Sequence, residues 1–172
     1  MFKRLKGYFP TYLLKSFYFA HIHSRISYLS AIWGSAAQNY KLYELQIMQN
    51  KVIRNLFSSD YFLHNISTRE IMEKYGILNI SNQIKFDSII FFYKINKGLL
   101  RTNFSFCKHK DIHSYETRRK SNIVTSKQRT NFSKFNVFTC ASKLFNEIDN
   151  ELKRTHSIHA FKKAIKLKLL QS

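Results

Sequence analysis

Proline, glycine, cysteine and carboxylate are the scarce groups in this chain: 172 residues hold one proline, four glycines, two cysteines and ten Asp plus Glu. So few turn-formers argue against an all-β fold, which needs a tight turn about every ten residues. The expected class is mainly α. Cys107 and Cys140 form no CxxC pair, so neither a disulfide framework nor a paired-cysteine zinc site is expected, and the pattern fits a reduced intracellular compartment. The aspartates Asp60, Asp87, Asp111 and Asp149 are scattered. Two-metal phosphoryl transfer needs carboxylates clustered around both ions, so polymerase or nuclease chemistry within this chain is not expected. There is also no Walker loop, no GxGxxG and no GxSxG. Long apolar runs are missing too. Pro10 and Lys15 interrupt the opening "MFKRLKGYFPTYLLKSFYFA", so we expect neither a secretory signal nor a membrane span. No acid precedes Glu44, which leaves a mitochondrial presequence as an alternative to a nuclear or cytoplasmic location.

Cations and aromatics are abundant. Lys plus Arg number 29, giving a formal charge of +19, and 44% of residues are hydrophobic, enough for a sizeable core. A charge excess of this size attracts polyanions. Nucleic acid (RNA, DNA or a hybrid duplex) is the expected partner and an acidic membrane surface ranks second. A basic protein with no specific partner is the bland alternative.

Periodicity places the helices. Residues from about Thr11 to Trp33 read as one helix, apolar over more than half its circumference, with His23, Ser27 and Ser30 on the small remaining face and Arg25 inside the apolar arc. A helix this apolar is expected at the centre of a bundle. Asn39 is a candidate cap for a second helix ending near Phe57, with Leu42, Leu45, Met48, Val52, Ile53 and Leu56 as its stripe and Lys51 and Arg54 opposite. "STRE" at 67–70 is a capping box for a short helix stopping at Gly76. Another helix spans about Ser81 to Lys97, stopped by Gly98. From Leu99 to Lys134 apolar periodicity fades and cations dominate, which predicts a basic connector with a short strand at "NIVTS". Helices resume at about Phe135 to Asn146 and after Ser157, where Ile158, Phe161, Ile165 and Leu169 form a stripe flanked by Lys162, Lys163 and Lys166. The expected architecture is thus a helical bundle over 1–98, a basic connector over 99–134 and a small helical unit over 135–172.

Candidate sites follow from charge and aromatic spacing. The segment "HSYETRRKSNIVTSKQRTNFSKF" mixes Arg118, Arg119, Lys120, Lys127, Arg129 and Lys134 with Tyr115, Phe132 and Phe135. Cations neutralise phosphates and aromatics stack on unpaired bases, so this is the expected nucleic-acid contact, with Lys51 and Arg54 as further cations. The alternative is a solvated basic loop. Arg25 must find an acid, carbonyls, phosphate or the solvent rim, with His21 one turn before it. "CKHKDIH" brings Cys107, His109 and His113 close in sequence, but a fourth ligand is missing, so no metal and no cofactor are expected.

Several stretches resemble, in order, the region after the catalytic palm in non-LTR retrotransposon reverse transcriptases of the jockey and RTE type. "YFAHIHSRISYLSAIWG" is similar to that family's Tyr-Phe-x-x-Ile-His-Ser-x-x-x-Tyr-Gly run followed by Trp-Gly, with Leu29 standing where the family has glycine. "LYELQIMQNKVIRNLF" matches Leu-x-x-Leu-Gln-x-x-Gln-x-Lys-x-x-Arg through Leu42, Leu45, Gln46, Gln49, Lys51 and Arg54. "DIHSYETRRKSN" resembles His-x-Tyr-x-Thr-Arg through His113, Tyr115, Thr117 and Arg118. "RTNFSKFNVFTCASKLFNEI" resembles an Arg-Thr…Trp-Asn-x-Leu-Pro element in which the Trp-Asn pair is Phe145-Asn146 here, and "SIHAFKKAIKLKLL" resembles a closing Phe-Lys-Lys helix. The family's Tyr-x-Asp-Asp catalytic motif has no counterpart. The resemblance implies a thumb-like helical bundle and tail that grips template–primer nucleic acid by its backbone beside a reverse transcriptase palm, with no catalysis of its own. It also implies that His21 and Arg25 are polar contacts at the palm boundary or toward nucleic acid. An independent basic structural protein, such as an organellar ribosome component, is the alternative from another class. An enzyme with a metal at the cysteine–histidine stretch is the third.

Overall fold

The architecture was read from a computed structural model that describes residues 9–57, 65–102, 106–112, 115, 120–125, 129–130 and 134–171. The protein is mainly helical, with no strand among the described residues. The segment expected as a strand contributes one isolated antiparallel bridge, between Lys108 and Ile123.

Helix α1 (Thr11–Phe17) runs directly into a π-helical stretch, Tyr18–His23, and then α2 (Ser24–Ser27). The single helix expected from Thr11 to Trp33 is therefore broken. Tyr28 turns extended, with ψ 112°, and Leu29 adopts φ 50°, the left-handed region that costs a branched side chain. Helix α3 (Ser30–Ala36) starts afresh with the Leu29 carbonyl accepting from the amides of Ile32 and Trp33. The Trp33 indole N–H donates to the carbonyl of Tyr28 at 2.9 Å, satisfying an acceptor at the break. No Gly or Pro marks this corner in the sequence, which is why periodicity runs straight through it.

Helix α4 (Asn39–Leu56) has Gln38 at its N-cap, so Asn39 is its first residue rather than its cap. Its inward line is Gln49, Ile53 and Leu56, while Met48 is exposed. Helix α5 (Thr68–Tyr75) carries the expected capping box, with Ser67 and Glu70 exchanging both bonds, and ends at Gly76 with φ 65°. Helix α6 (Ile80–Asn96), capped by Asn79, has ten buried residues distributed around its circumference. It packs against α2, α3 and α4, and against α8 (Val137–Asn146) and α10 (Ile158–Leu170). Between the last two lies the short α9 (Asn150–Arg154).

The central helix is therefore α6, and the first helix is peripheral. Phe9, Tyr12, Leu13, Tyr28, Leu29 and Ile32 remain exposed. The inversion has a polar cause. Asp87 on α6 accepts from the Ser30 hydroxyl and from Gln83 Nε2 at 2.9 Å, and Gln83 Oε1 pairs with His23 Nε2 at 3.1 Å. The polar face of residues 23–30 thus turns inward to satisfy α6, which leaves part of the apolar arc outside. At the crossing of α3 and α6, Gly34 lies so close to Ile84 that a Cβ there would meet the isoleucine side chain at 2.5–2.9 Å.

Two cores result. One joins Leu14 and Tyr18 with Ile53, Leu56, Phe57, Ile71, Met72 and Ile77. The other joins α6 to the C-terminal helices through Ile89, Phe92, Tyr93, Phe145, Phe161 and Ile165, and takes in Ile123 of the connector.

Candidate nucleic-acid interface

The basic connector is pinned to the C-terminal helices. The His109 amide donates to the Asn122 carbonyl at 3.0 Å, Lys110 to Lys120 at 3.1 Å, and Val124 to Cys107 at 2.9 Å. These bonds pair residues 107–110 with 120–124. Helix α7 (His109–Ile112) is one turn long, and Asp111 caps it by accepting from the Lys108 amide at 2.9 Å. Ile123, 2% exposed, anchors the pair in the core. Asn146, at the end of α8, then grips the Ile123 backbone in both directions: its Oδ1 accepts from Ile123 N–H and its Nδ2 donates to Ile123 C=O, each at 2.9 Å. Ser121 donates to Asn150 Oδ1 at 3.1 Å. Lys153 donates to the Asn146 carbonyl at 3.0 Å and lies 5.7 Å from the centroid of Phe145. Burial holds its ammonium below the usual lysine range, against an opposing pull from Asp149.

Of the sequence-predicted cations, Lys120, Arg129 and Lys134 are exposed, whereas Arg118, Arg119 and Lys127 lie outside the described residues. The pairing brings Lys110 beside Lys120, with Lys108 close by. Tyr115 and Phe135 are 71% and 53% exposed, and Phe132 lies outside the described residues. Lys51 and Arg54 are exposed on α4, whose inward side belongs to the other core. Arg54 also ties α4 to α5 through Thr68 Oγ1 at 2.9 Å. His21 is exposed against Phe17, with ring centroids 4.5 Å apart. Arg25 is exposed and makes no ion pair with a described residue, so it reaches solvent rather than a buried partner. In the cysteine–histidine stretch, His113 lies outside the described residues, and among the described residues no three His, Cys, Asp or Glu side chains come together as a metal site.

Motif glutamines on α4 prove to be fold-holding groups. Buried Gln49 donates from Nε2 to Tyr18 Oη at 2.8 Å and to the Leu78 carbonyl at 2.9 Å. Gln46 Oε1 accepts from the Ile80 amide at 2.8 Å. Burial pushes the Tyr18 phenol up, with the Gln49 bond acting the other way. Sequence reasoning passed over Asn146 and Lys153. The signal available for Asn146 was its place beside Phe145 in the Phe-Asn pair; Lys153 had none, because one lysine in a lysine-rich chain does not stand out. No helix among the described residues is long and apolar enough to cross a membrane. No family model, curated protein or solved structure matches the chain.

Proposed function

We propose that this chain is a non-catalytic nucleic-acid grip, similar to the part of a non-LTR retrotransposon reverse transcriptase that follows the palm. It holds template–primer duplex by backbone phosphates, and a reverse transcriptase palm is its protein partner. The carrying observation is the pinned connector. Paired arms anchored by Ile123 and Asn146 carry Lys108, Lys110 and Lys120, and between them lies the sequence containing Arg118 and Arg119. Preordered arms lower the entropy lost when a polyanion is bound. Two local findings support the resemblance. Leu29, where the family pattern has glycine, has φ 50°, a conformation that glycine adopts without strain. Gly34, the glycine of Trp33-Gly34, sits where a side chain would strike Ile84.

The test is a salt titration. Binding of an RNA–DNA duplex should weaken steeply with salt and depend little on base sequence. Replacing Arg118, Arg119 and Lys120 together with alanine should make the slope of log affinity against log salt shallower by about one unit per lost phosphate contact. A folded triple variant with the parental slope would refute the connector as the grip. Primer extension by the pure chain with magnesium and nucleotides would refute the non-catalytic assignment.

A further inference from the structure

We propose that the cleft between α4, α5, the start of α6 and the end of α10 receives an unpaired nucleobase. The cleft encloses about 550 Å³, within the range of roughly 300–1,000 Å³ typical of small-ligand sites. Four stretches remote in sequence build it: residues 39–50, 68–73, 77–82 and 169–170. Asn39, Leu42, Tyr43, Gln46 and Asn50 follow the spacing of one helical face, and all five line it. Buried Met72, Ile77 and Leu78 supply an apolar floor. Asn82 Nδ2 donates to the Leu169 carbonyl at 2.8 Å, which holds the end of α10 against α6 as the far wall.

Charge and hydrogen bonding narrow the ligand. The chain carries +19, yet no lysine lines the cleft among the described residues, and the two charged side chains there, Arg69 and Glu73, pair at 3.2 Å. A phosphate or a carboxylate therefore finds no uncompensated charge inside, and the group recognised is neutral. Its polarity is set by a relay of amides. The Ile80 amide donates to Gln46 Oε1 at 2.8 Å, so Gln46 turns Nε2 to Asn50 Oδ1, also at 2.8 Å. Asn50 is left with its NH2 group as a donor. Asn79 likewise uses its oxygen to accept from the Asn82 amide at 2.7 Å and keeps its NH2 group. Neither NH2 group has a partner among the described residues. Donors over an apolar floor, beside the exposed ring of Tyr43, suit a flat neutral group bearing ring-nitrogen and carbonyl acceptors, which describes a nucleobase. Cations for the strand's phosphates stand outside. Lys51 and Arg54 are exposed on α4, and Arg54 donates to Thr68 Oγ1 at the edge of the cleft. The inference rests on the reading of the chain as a nucleic-acid grip, and adds to it a place for a base that the duplex leaves unpaired.

The experiment follows the side-chain amide resonances of Asn50 and Asn79 by NMR in the full chain, with free ribonucleosides as probes and ribose 5-phosphate as the base-free control. At least one nucleoside should shift both resonances saturably in the millimolar range, and ribose 5-phosphate should not. Asn50→Asp keeps the acceptor for Gln46 and removes the donor, so it should abolish saturation in a chain that stays folded. Tyr43→Ala, at a position 68% exposed, should weaken binding of a single-stranded oligonucleotide roughly 5- to 150-fold, the effect of losing one stacked base, and leave the salt slope for duplex unchanged. The connector variant lacking Arg118, Arg119 and Lys120 should lose duplex affinity but keep the nucleoside shifts, so failure of the connector reading and failure of this one are distinguishable. No saturable shift with any nucleoside, or equal shifts with ribose 5-phosphate, would overturn the proposal. Saturation by a neutral capped tripeptide and by no nucleoside would overturn it too, and would assign the cleft to a polypeptide.

Discussion

Leu29 and Gly34 stand five residues apart with opposite relations to their backbones. Leu29 holds a left-handed conformation with half its surface in solvent, 52% exposed, so its side chain returns little burial for the strain. Leu29→Gly should therefore stabilise the fold by roughly 0.5–1 kcal/mol, the relieved strain less the added chain entropy. A higher urea midpoint with an unchanged m-value is the expected outcome. Gly34 is the reverse case. Gly34→Ala should destabilise by about 1–3 kcal/mol through overpacking on Ile84, and truncating Ile84 in the same chain should recover part of that loss. Additive losses in the double variant would mean that the two positions do not touch. Tyr18→Phe tests the buried amide bond. It should cost about 1 kcal/mol at neutral pH, because Gln49 loses one acceptor. The folded phenol ionises above the ordinary value of 10.0. Below pH 10 this phenol is neutral in both states, and its contribution is complete. Above it the unfolded chain sheds its proton first, so stability falls as pH rises through the folded pKa. The phenylalanine variant lacks that loss, and its alkaline denaturation should begin from a lower plateau but fall less steeply with pH.

At the scale of elements, the connector depends on α8 more than on its own sequence. Its arms have a few backbone bonds and one buried side chain, too little to stay ordered alone. Asn146→Ala removes both bonds to Ile123 and leaves a half-buried amide and carbonyl unsatisfied, at an expected cost of about 1–3 kcal/mol. The amides of Ile123 and Val124 should exchange hydrogen faster, while those in the middle of α6 keep their protection. Duplex affinity should fall with the loss of arm order even though no cation has been removed. Unchanged exchange at Ile123 would show that the core contact alone orders the arms.

For the molecule as a whole, 29 cations face 10 acids, so 19 positive charges have no acid in the chain to pair with. The ion pairs Arg69–Glu73 and Lys168–Asp149 are exposed and add little stability. The folded state therefore carries self-repulsion that salt screens and a polyanion neutralises. The melting temperature should rise with added salt, and rise further with a short nucleic-acid duplex at the same ionic strength. No difference between duplex and equivalent salt would argue that the charge serves solubility alone.

The amino-acid sequence by itself determined whatever depends on neighbours along the chain. The capping box at Ser67 and Glu70, the stops at Gly76 and Gly98, the buried pair Phe161 and Ile165 and the outward Lys51 and Arg54 all follow from spacings of three or four residues. Only the tertiary structure decided which helix is central. Residues 11–33 and α6 are comparably apolar on a helical wheel, and the choice turned on where Gln83 and Asp87 find hydrogen-bond partners, in His23 and Ser30 at sequence separations of 60 and 57. The same holds for the break at Leu29, which no turn residue announces, and for the grip of Asn146 on Ile123.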